Sequence, residues 1–80
     1  MSASKTIKKI MVDKNISVKE LAEKLGTTPQ ILSNKLYRNT FTYNDYVYIC
    51  DLLGCDVKTV ARDSKTEYIN KYEENRRKKG

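Results

Sequence analysis

The sequence has no histidine, no tryptophan, two cysteines and no phosphate-binding glycine motif. Histidine is the commonest general base in enzymes, so its absence removes the Ser-His and Cys-His catalytic pairs. Cys50 and Cys55 find no further zinc ligands at a recognisable spacing, and a disulfide is not expected in a reducing compartment. We therefore predict that the protein is not an enzyme and has no metal site and no cofactor.

Long apolar runs are also missing. No stretch approaches the length of a membrane span, and residues 1–14 lack the apolar core of a signal peptide, so we expect a cytoplasmic protein without a membrane partner or a small-molecule substrate. Eighty residues allow one small domain. Sixteen basic against ten acidic residues give a net charge of +6, which attracts polyanions but does not by itself identify them.

Two short helices joined by a tight turn are predicted over Ser17–Leu25 and Thr28–Arg38. Ser17 and Glu20 have the spacing of a capping box at the first helix. Gly26 follows its last apolar residue, where a left-handed backbone ends a helix and glycine adopts it at least cost. The apolar residues of this helix recur at spacings of three and four: Val18, Leu21, Ala22 and Leu25.

The second helix has two chemically distinct faces. Thr28 is a suitable N-cap and Pro29 fits the first turn, while Leu32 and Leu36 form an apolar side. The opposite face carries polar groups, namely Gln30, Ser33, Asn34 and Tyr37. A helix that only builds a core would carry Lys and Glu there, whereas this face has no acidic residue. The pattern predicts a helix-turn-helix that binds double-stranded DNA.

One further helix is expected on each side of this pair. The earlier helix covers Ser4–Lys14, with Ile7, Ile10 and Met11 on its inner face. The later one begins at a second capping box, Thr42 with Asp45, and runs to Leu53 before Gly54. Its expected inner face consists of Tyr46, Ile49, Cys50 and Leu53. This arrangement makes Cys50 a small buried residue rather than a reactive one.

The C-terminal part allows two interpretations. Over Cys55–Tyr72, β-favouring side chains flank a turn at residues 62–65, which predicts a β-hairpin; they are Val57, Thr59, Val60, Thr66, Tyr68 and Ile69. As a helix, the same stretch would instead form an i,i+4 pair between Glu67 and Lys71. We favour the hairpin. Glu73–Gly80 is too charged to pack, which predicts a disordered tail or non-specific attraction to phosphates.

The segment LAEKLGTTPQILSNKLYRNTF, followed by an amphipathic helix ending in LLGCDV, resembles the Cro/repressor-type (XRE) helix-turn-helix regulators of phages and bacteria. It is most similar to short single-domain members with a PQxLSxK recognition helix. The resemblance spans residues 6–60 and implies a mainly α, lambda-repressor-like bundle of four to five helices; some relatives end in a β-hairpin. We expect a DNA-binding domain at residues 1–62 and a C-terminal extension at residues 63–80.

The resemblance also implies roles for individual residues. Base contacts fall on the outward positions of the recognition helix, here Pro29, Gln30, Ser33 and Asn34. Phosphate contacts in the family fall on helix N-termini, which here implicates Ser17, Lys19, Thr28, Thr40 and Tyr43. Apart from the resemblance, we expect Lys35, Tyr37 and Arg38 to reach the DNA backbone from the recognition helix. Lys35 occupies a position where many relatives bury a small apolar residue. We expect Leu36 to replace that packing, with a slight rotation of the helix.

Regulators of this family usually act as homodimers on palindromic operators, and we expect a transcriptional repressor of this kind. The predicted interface comprises Tyr48, Leu52, Val57, Val60, Tyr68 and Ile69. Tyr48 and Leu52 lie outside the inner face of their helix, so they either meet a second subunit or support the C-terminal segment of the same chain. Two alternative functions remain open, a DNA-binding antitoxin of a toxin–antitoxin pair and a protein-interaction adaptor that does not bind DNA.

Overall fold

A computed structural model describes residues 2–72 and has four helices followed by an antiparallel β-hairpin. This confirms the predicted mainly α fold with a hairpin at its end. The elements are α1 (Ala3–Asp13), α2 (Val18–Leu25), α3 (Pro29–Arg38), α4 (Tyr43–Leu52), β1 (Val57–Val60) and β2 (Glu67–Asn70). The predictions for the Glu73–Gly80 tail concern residues outside the described part of the chain.

Side-chain caps determine where the helices begin. The Ser17 hydroxyl accepts the Glu20 N–H at 3.1 Å, and the Glu20 carboxylate accepts the Ser17 N–H at 2.9 Å. Thr42 and Asp45 form the same reciprocal pair at the start of α4. Helix α1 begins one residue earlier than predicted, because the Ser2 hydroxyl accepts the Lys5 N–H at 3.1 Å and so caps the helix at Ala3.

The core lies among the four helices. Its buried cluster consists of Ile7, Met11, Leu21, Ala22, Leu32, Leu36, Ile49 and Leu53. Tyr46, predicted on the inner face of α4, is partly buried and packs against this cluster. The prediction omitted Val47, which is only 4% exposed. Val47 lines a cleft together with Asn70 and Tyr72, so the end of the hairpin lies beside this part of α4. A helical pattern read on α4 alone does not contain this neighbourhood.

The hairpin over β1 and β2 shows that the helical alternative for this segment is wrong. Val57 pairs with Asn70 and Val60 with Glu67, and residues 61–66 connect the strands. The Glu67 carboxylate pairs across the strands with the Lys58 ammonium at 3.0 Å, not along a helix with Lys71. The predicted domain division after residue 62 falls in the connection between the two strands.

Candidate nucleic-acid interface

Helix α3 presents the polar face that the sequence predicts. Leu32 and Leu36 are 1% and 5% exposed and hold the helix against the core. Its other side is open to solvent, including Gln30, Ser33, Asn34 and Tyr37. The first turn of α3 contains no acidic residue, and the last turn contains the cations Lys35 and Arg38. The helix therefore offers amide, hydroxyl and phenol groups and carries no carboxylate of its own that would repel phosphates.

The turn between α2 and α3 sets the position of this face. Gly26 adopts a left-handed backbone with φ 74° and ψ 31°, which ends α2. The Thr27 N–H donates to the Ala22 carbonyl at 3.0 Å and completes the cap. Ala22 is fully buried, so its small side chain lies at the contact between the helices. Glycine and alanine at these positions allow the close, angled pairing of a helix-turn-helix.

The predicted phosphate-contacting residues are all accessible. Ser17 and Thr28 cap α2 and α3, and their hydroxyl oxygens accept backbone N–H groups. Each hydroxyl keeps its own hydrogen, which remains available to donate to a phosphate oxygen. The other predicted residues also have exposed side chains: Lys19, Lys35, Tyr37, Arg38, Thr40 and Tyr43.

Lys35 and Leu36 occupy the environments expected for them. Leu36 is buried in the core cluster, while the Lys35 side chain is exposed. Lys35 lines a cleft of about 230 Å³ beside α3, together with Ile31, Phe41 and Tyr48. Leu36 therefore supplies core packing at this end of α3, and Lys35 keeps its charge in solvent.

Asn39 contributes a contact that the sequence analysis missed. Its backbone is left-handed, with φ 56°, and ends α3. Its side-chain oxygen accepts the Ser4 N–H of α1 at 3.1 Å. This bond joins the end of the recognition helix to the start of the first helix. Asparagine tolerates a left-handed backbone, so the helix end was predictable, but its partner 35 positions away was not.

The two free cysteines differ in exposure, because Cys50 is buried and Cys55 only partly so. Cys50 is buried, and burial raises the pKa of its thiol above the usual value. A protonated, enclosed thiol is a poor nucleophile and a poor metal ligand. Among residues 2–72, no group of three His, Cys, Asp or Glu side chains could hold a metal ion. Burial also raises the pKa of the neighbouring Tyr46 phenol, which stays neutral at physiological pH.

The predicted interface residues fall into two groups. The Tyr48 ring packs against Tyr72 of the same chain with 4.5 Å between centroids, and Leu52 is partly buried. Val57 is also partly buried. By contrast, Val60, Tyr68 and Ile69 of the hairpin are 48%, 59% and 50% exposed. Tyr48 thus supports the C-terminal segment, and the exposed members of the predicted interface lie on the hairpin.

Comparison with known proteins identifies the family. No curated protein and no solved structure matches the chain. None of the helices among residues 2–72 has the length and apolar content of a membrane-spanning segment. A family model described as a Cro/C1-type HTH DNA-binding domain matches residues 6–65, which include all four helices except the first turn of α1. The chain belongs to the Cro/C1-type helix-turn-helix DNA-binding family.

Proposed function

We propose that this protein is a transcriptional repressor that binds a palindromic operator as a homodimer, with α3 in the major groove. The observation that carries the proposal is the division of α3 into a buried side, Leu32 and Leu36, and an exposed polar side free of carboxylates. An α-helix fits the major groove, where each base pair presents a distinct pattern of donors and acceptors.

Base reading is assigned to the first half of α3. The Gln30 and Asn34 amides each donate and accept, which matches adenine N6 and N7. They lie four positions apart, or about 6 Å along the helix axis, and can address neighbouring base pairs. Ser33 lies between them and can donate or accept, while Pro29 can contact a thymine methyl group.

Phosphate binding is assigned to the residues around this stripe. Ser17 and Thr28 donate from helix N-termini, where the helix dipole favours an anion. Lys19, Lys35, Tyr37, Arg38, Thr40 and Tyr43 complete this set. Such contacts fix the orientation of the protein on DNA without selecting a sequence.

The proposal is tested by first selecting the bound sequence from genomic or random DNA fragments. Binding to that operator is then compared with binding to scrambled DNA, by fluorescence anisotropy, for Gln30→Ala, Asn34→Ala and Lys19→Ala. Each amide variant should lose about 1–3 kcal/mol of operator binding and little binding to scrambled DNA. Lys19→Ala, the control for a phosphate contact, should weaken both about equally. Equal losses on both DNAs in the amide variants would contradict the base-reading role.

The repressor and dimer parts of the proposal need separate measurements. Two half-sites about 34–36 Å apart require two copies of α3, so the operator should bind two chains. A reporter gene whose promoter overlaps the operator should show reduced transcription when the protein is expressed. Unchanged transcription with the operator fully occupied would exclude repression at that site and leave DNA binding intact.

A further inference from the structure

The cleft between α3 and α4 combines an apolar wall with two charges of opposite sign. Its volume is about 230 Å³. The apolar side chains that line it come from α2, α3, α4 and the loop before α4, namely Leu25, Ile31, Leu32, Phe41 and Ile49. Ile31 is 48% exposed, so the protein covers only half of this large side chain of the recognition helix. The cleft therefore offers apolar surface that a bound ligand can remove from water.

Lys35 and Asp45 bring a cation and an anion to this cleft. In the described part of the chain, neither forms an ion pair with the other or with a third residue. One carboxylate oxygen of Asp45 accepts the Thr42 N–H at 3.1 Å in the cap of α4, and the second oxygen accepts no hydrogen bond within residues 2–72. The Lys35 ammonium and this second oxygen are therefore both available to a ligand.

These features select a small zwitterion with an apolar side chain. A carboxylate alone is attracted by Lys35 but repelled by Asp45, and an amine alone meets the reverse situation. A molecule that carries both groups satisfies both charges with charge-assisted hydrogen bonds. Because a water molecule takes about 30 Å³ in the liquid, the cleft has room for roughly seven or eight non-hydrogen atoms. That is less than a drug-sized ligand needs and is close to the size of an aliphatic amino acid.

We propose that this cleft binds an α-amino acid with an aliphatic side chain, as a regulatory ligand that undergoes no reaction. The ligand carboxylate pairs with Lys35, the ligand ammonium pairs with Asp45, and the aliphatic side chain packs against Ile31 and Phe41. The inference rests on the proposed function in one respect, since Lys35 is assigned there to a DNA phosphate. A ligand that pairs with Lys35 competes with that phosphate, so DNA and the amino acid should each weaken binding of the other.

Binding is tested first on the full chain without DNA, with L-leucine as the probe. In a titration followed by heteronuclear NMR, the amide signals of Ile31, Lys35 and Tyr48 should shift, because all three residues line the cleft. The amide signal of Tyr68, which lies in the hairpin and does not line the cleft, should stay in place. Absence of shifts at the cleft up to the solubility limit of leucine would overturn the proposal, as would shifts confined to the hairpin.

Analogues of leucine test each part of the ligand on the unmodified protein. Isocaproate lacks only the ammonium, and isoamylamine lacks only the carboxylate. Each should bind at least tenfold more weakly than leucine, because it loses a hydrogen bond to a charged group. Glycine keeps both charges but has no side chain, and it should also bind at least tenfold more weakly. Binding of either single-charge analogue as tight as that of leucine would overturn the assignment of a zwitterion.

Matched variants assign the two charges to their residues. Lys35→Gln and Asp45→Asn should each weaken leucine binding at least tenfold, and the asparagine keeps an oxygen for the cap of α4. Two controls remove one charge each from the same helices without touching the cleft. They are Arg38→Gln in the last turn of α3 and Asp51→Asn in α4. Both controls should bind leucine like the wild type, and an equal loss in them would overturn the proposed pairing.

The effect of leucine on DNA binding tests the competition for Lys35. Leucine has no net charge at neutral pH, so its addition leaves the ionic strength unchanged. At saturation it should weaken binding to operator and to scrambled DNA about equally. The slope of log affinity against log salt should become shallower by about 0.9 for each chain bound. Lys35→Gln should produce the same change without leucine. An unchanged slope with the cleft saturated would overturn the competition between leucine and phosphate.

The outcomes separate this inference from the function on which it rests. If leucine binds at the cleft but the protein selects no DNA sequence, the ligand site stands and the proposed repressor is wrong. If the protein selects an operator and the amide variants lose it as expected, but leucine does not bind, the ligand site is wrong and the repressor remains.

Discussion

Asn39 holds the end of the recognition helix through both its backbone and its side chain. Asn39→Gly keeps the left-handed backbone but removes the oxygen that accepts the Ser4 N–H. We expect a loss of about 1–2 kcal/mol in the free energy of unfolding, because a helix N-terminal donor loses its partner. Asn15→Gly is the control: Asn15 has the same φ of 56° and no side-chain hydrogen bond in the described structure. Equal stability of the two variants in urea unfolding would contradict the role of the side chain.

Glu20 makes the cap of α2 sensitive to acid. Its carboxylate accepts the Ser17 N–H, and this hydrogen bond lowers the pKa of Glu20 below the usual value. Because this pKa is lower in the folded state, the ionised Glu20 carboxylate contributes its full stability above the unfolded-state pKa. That contribution is lost as pH falls through the folded-state pKa. Glu20→Gln keeps a capping-box acceptor but does not titrate. Its melting temperature should therefore fall less on acidification than that of the wild type.

The control for the acid effect is Glu23→Gln on the same helix. Glu23 is exposed, and its carboxylate accepts no hydrogen bond within residues 2–72. This variant should follow the wild-type acid profile measured by circular dichroism. If Glu20→Gln and Glu23→Gln changed the profile equally, loss of net negative charge rather than the cap would be responsible.

At the scale of elements, the α2–α3 turn depends on the left-handed backbone of Gly26. An added Cβ at Gly26 would meet no atom within 4 Å, so a substitution there costs backbone energy and not a clash. Gly26→Ala should lower the free energy of unfolding by about 1–2 kcal/mol, and β-branched Gly26→Val should lower it more. Both losses should be at least as large as the loss of about 1 kcal/mol expected for Ser17→Ala. Gly54→Ala, with φ 75° and equally open space, should match Gly26→Ala in thermal unfolding.

The two glycine variants should nevertheless differ in function. Gly26 lies between the paired helices, whereas Gly54 ends α4, before the hairpin. At a temperature where both variants are folded, Gly26→Ala should weaken operator binding more than Gly54→Ala. The opposite order would mean that the position of α3 does not depend on this turn.

The helices were predictable because their signals are local. The boxes at Ser17 and Thr42 and the glycine at position 26 lie within a few residues of the helix ends that they define. The bond between Asn39 and Ser4 joins residues 35 positions apart, and the cleft beside Val47 is also lined by Asn70 and Tyr72, more than twenty positions away. A pattern read along one element does not contain such contacts. The hairpin was ambiguous for the same reason, since its pairing energy comes from the opposite strand.

The candidate site was predictable to a similar extent. The exposed stripe of α3 follows from helical periodicity, because burying Leu32 and Leu36 leaves Gln30, Ser33 and Asn34 outside. The contact made by Tyr48 did not follow from the sequence, which allowed this side chain to contact either a second subunit or the same chain. The structure places its ring against Tyr72, a contact between residues 24 positions apart in the sequence.

At the scale of the whole molecule, charge should control affinity through salt. The net charge of +6 per chain, together with the phosphate contacts proposed at several helix ends, predicts a steep decrease in affinity with salt. For a dimer that contacts about six to ten phosphates, the slope of log affinity against log salt should be about −5 to −9. Fluorescence anisotropy on operator DNA across a salt series measures it. A slope near −2 would be too shallow for the proposed set of phosphates.

The basic tail gives this prediction a second test. Residues 73–80 carry four of the sixteen cations, Arg76, Arg77, Lys78 and Lys79, against two acids. A chain shortened after Tyr72 retains every residue assigned to base reading. If the tail binds DNA, its removal should make the salt slope shallower by about one unit for each phosphate that the tail neutralises in the full chain. The ratio of operator affinity to scrambled-DNA affinity should stay constant. An unchanged slope would exclude binding of the tail to phosphates, and a reduced ratio would mean that the tail also takes part in selecting the sequence.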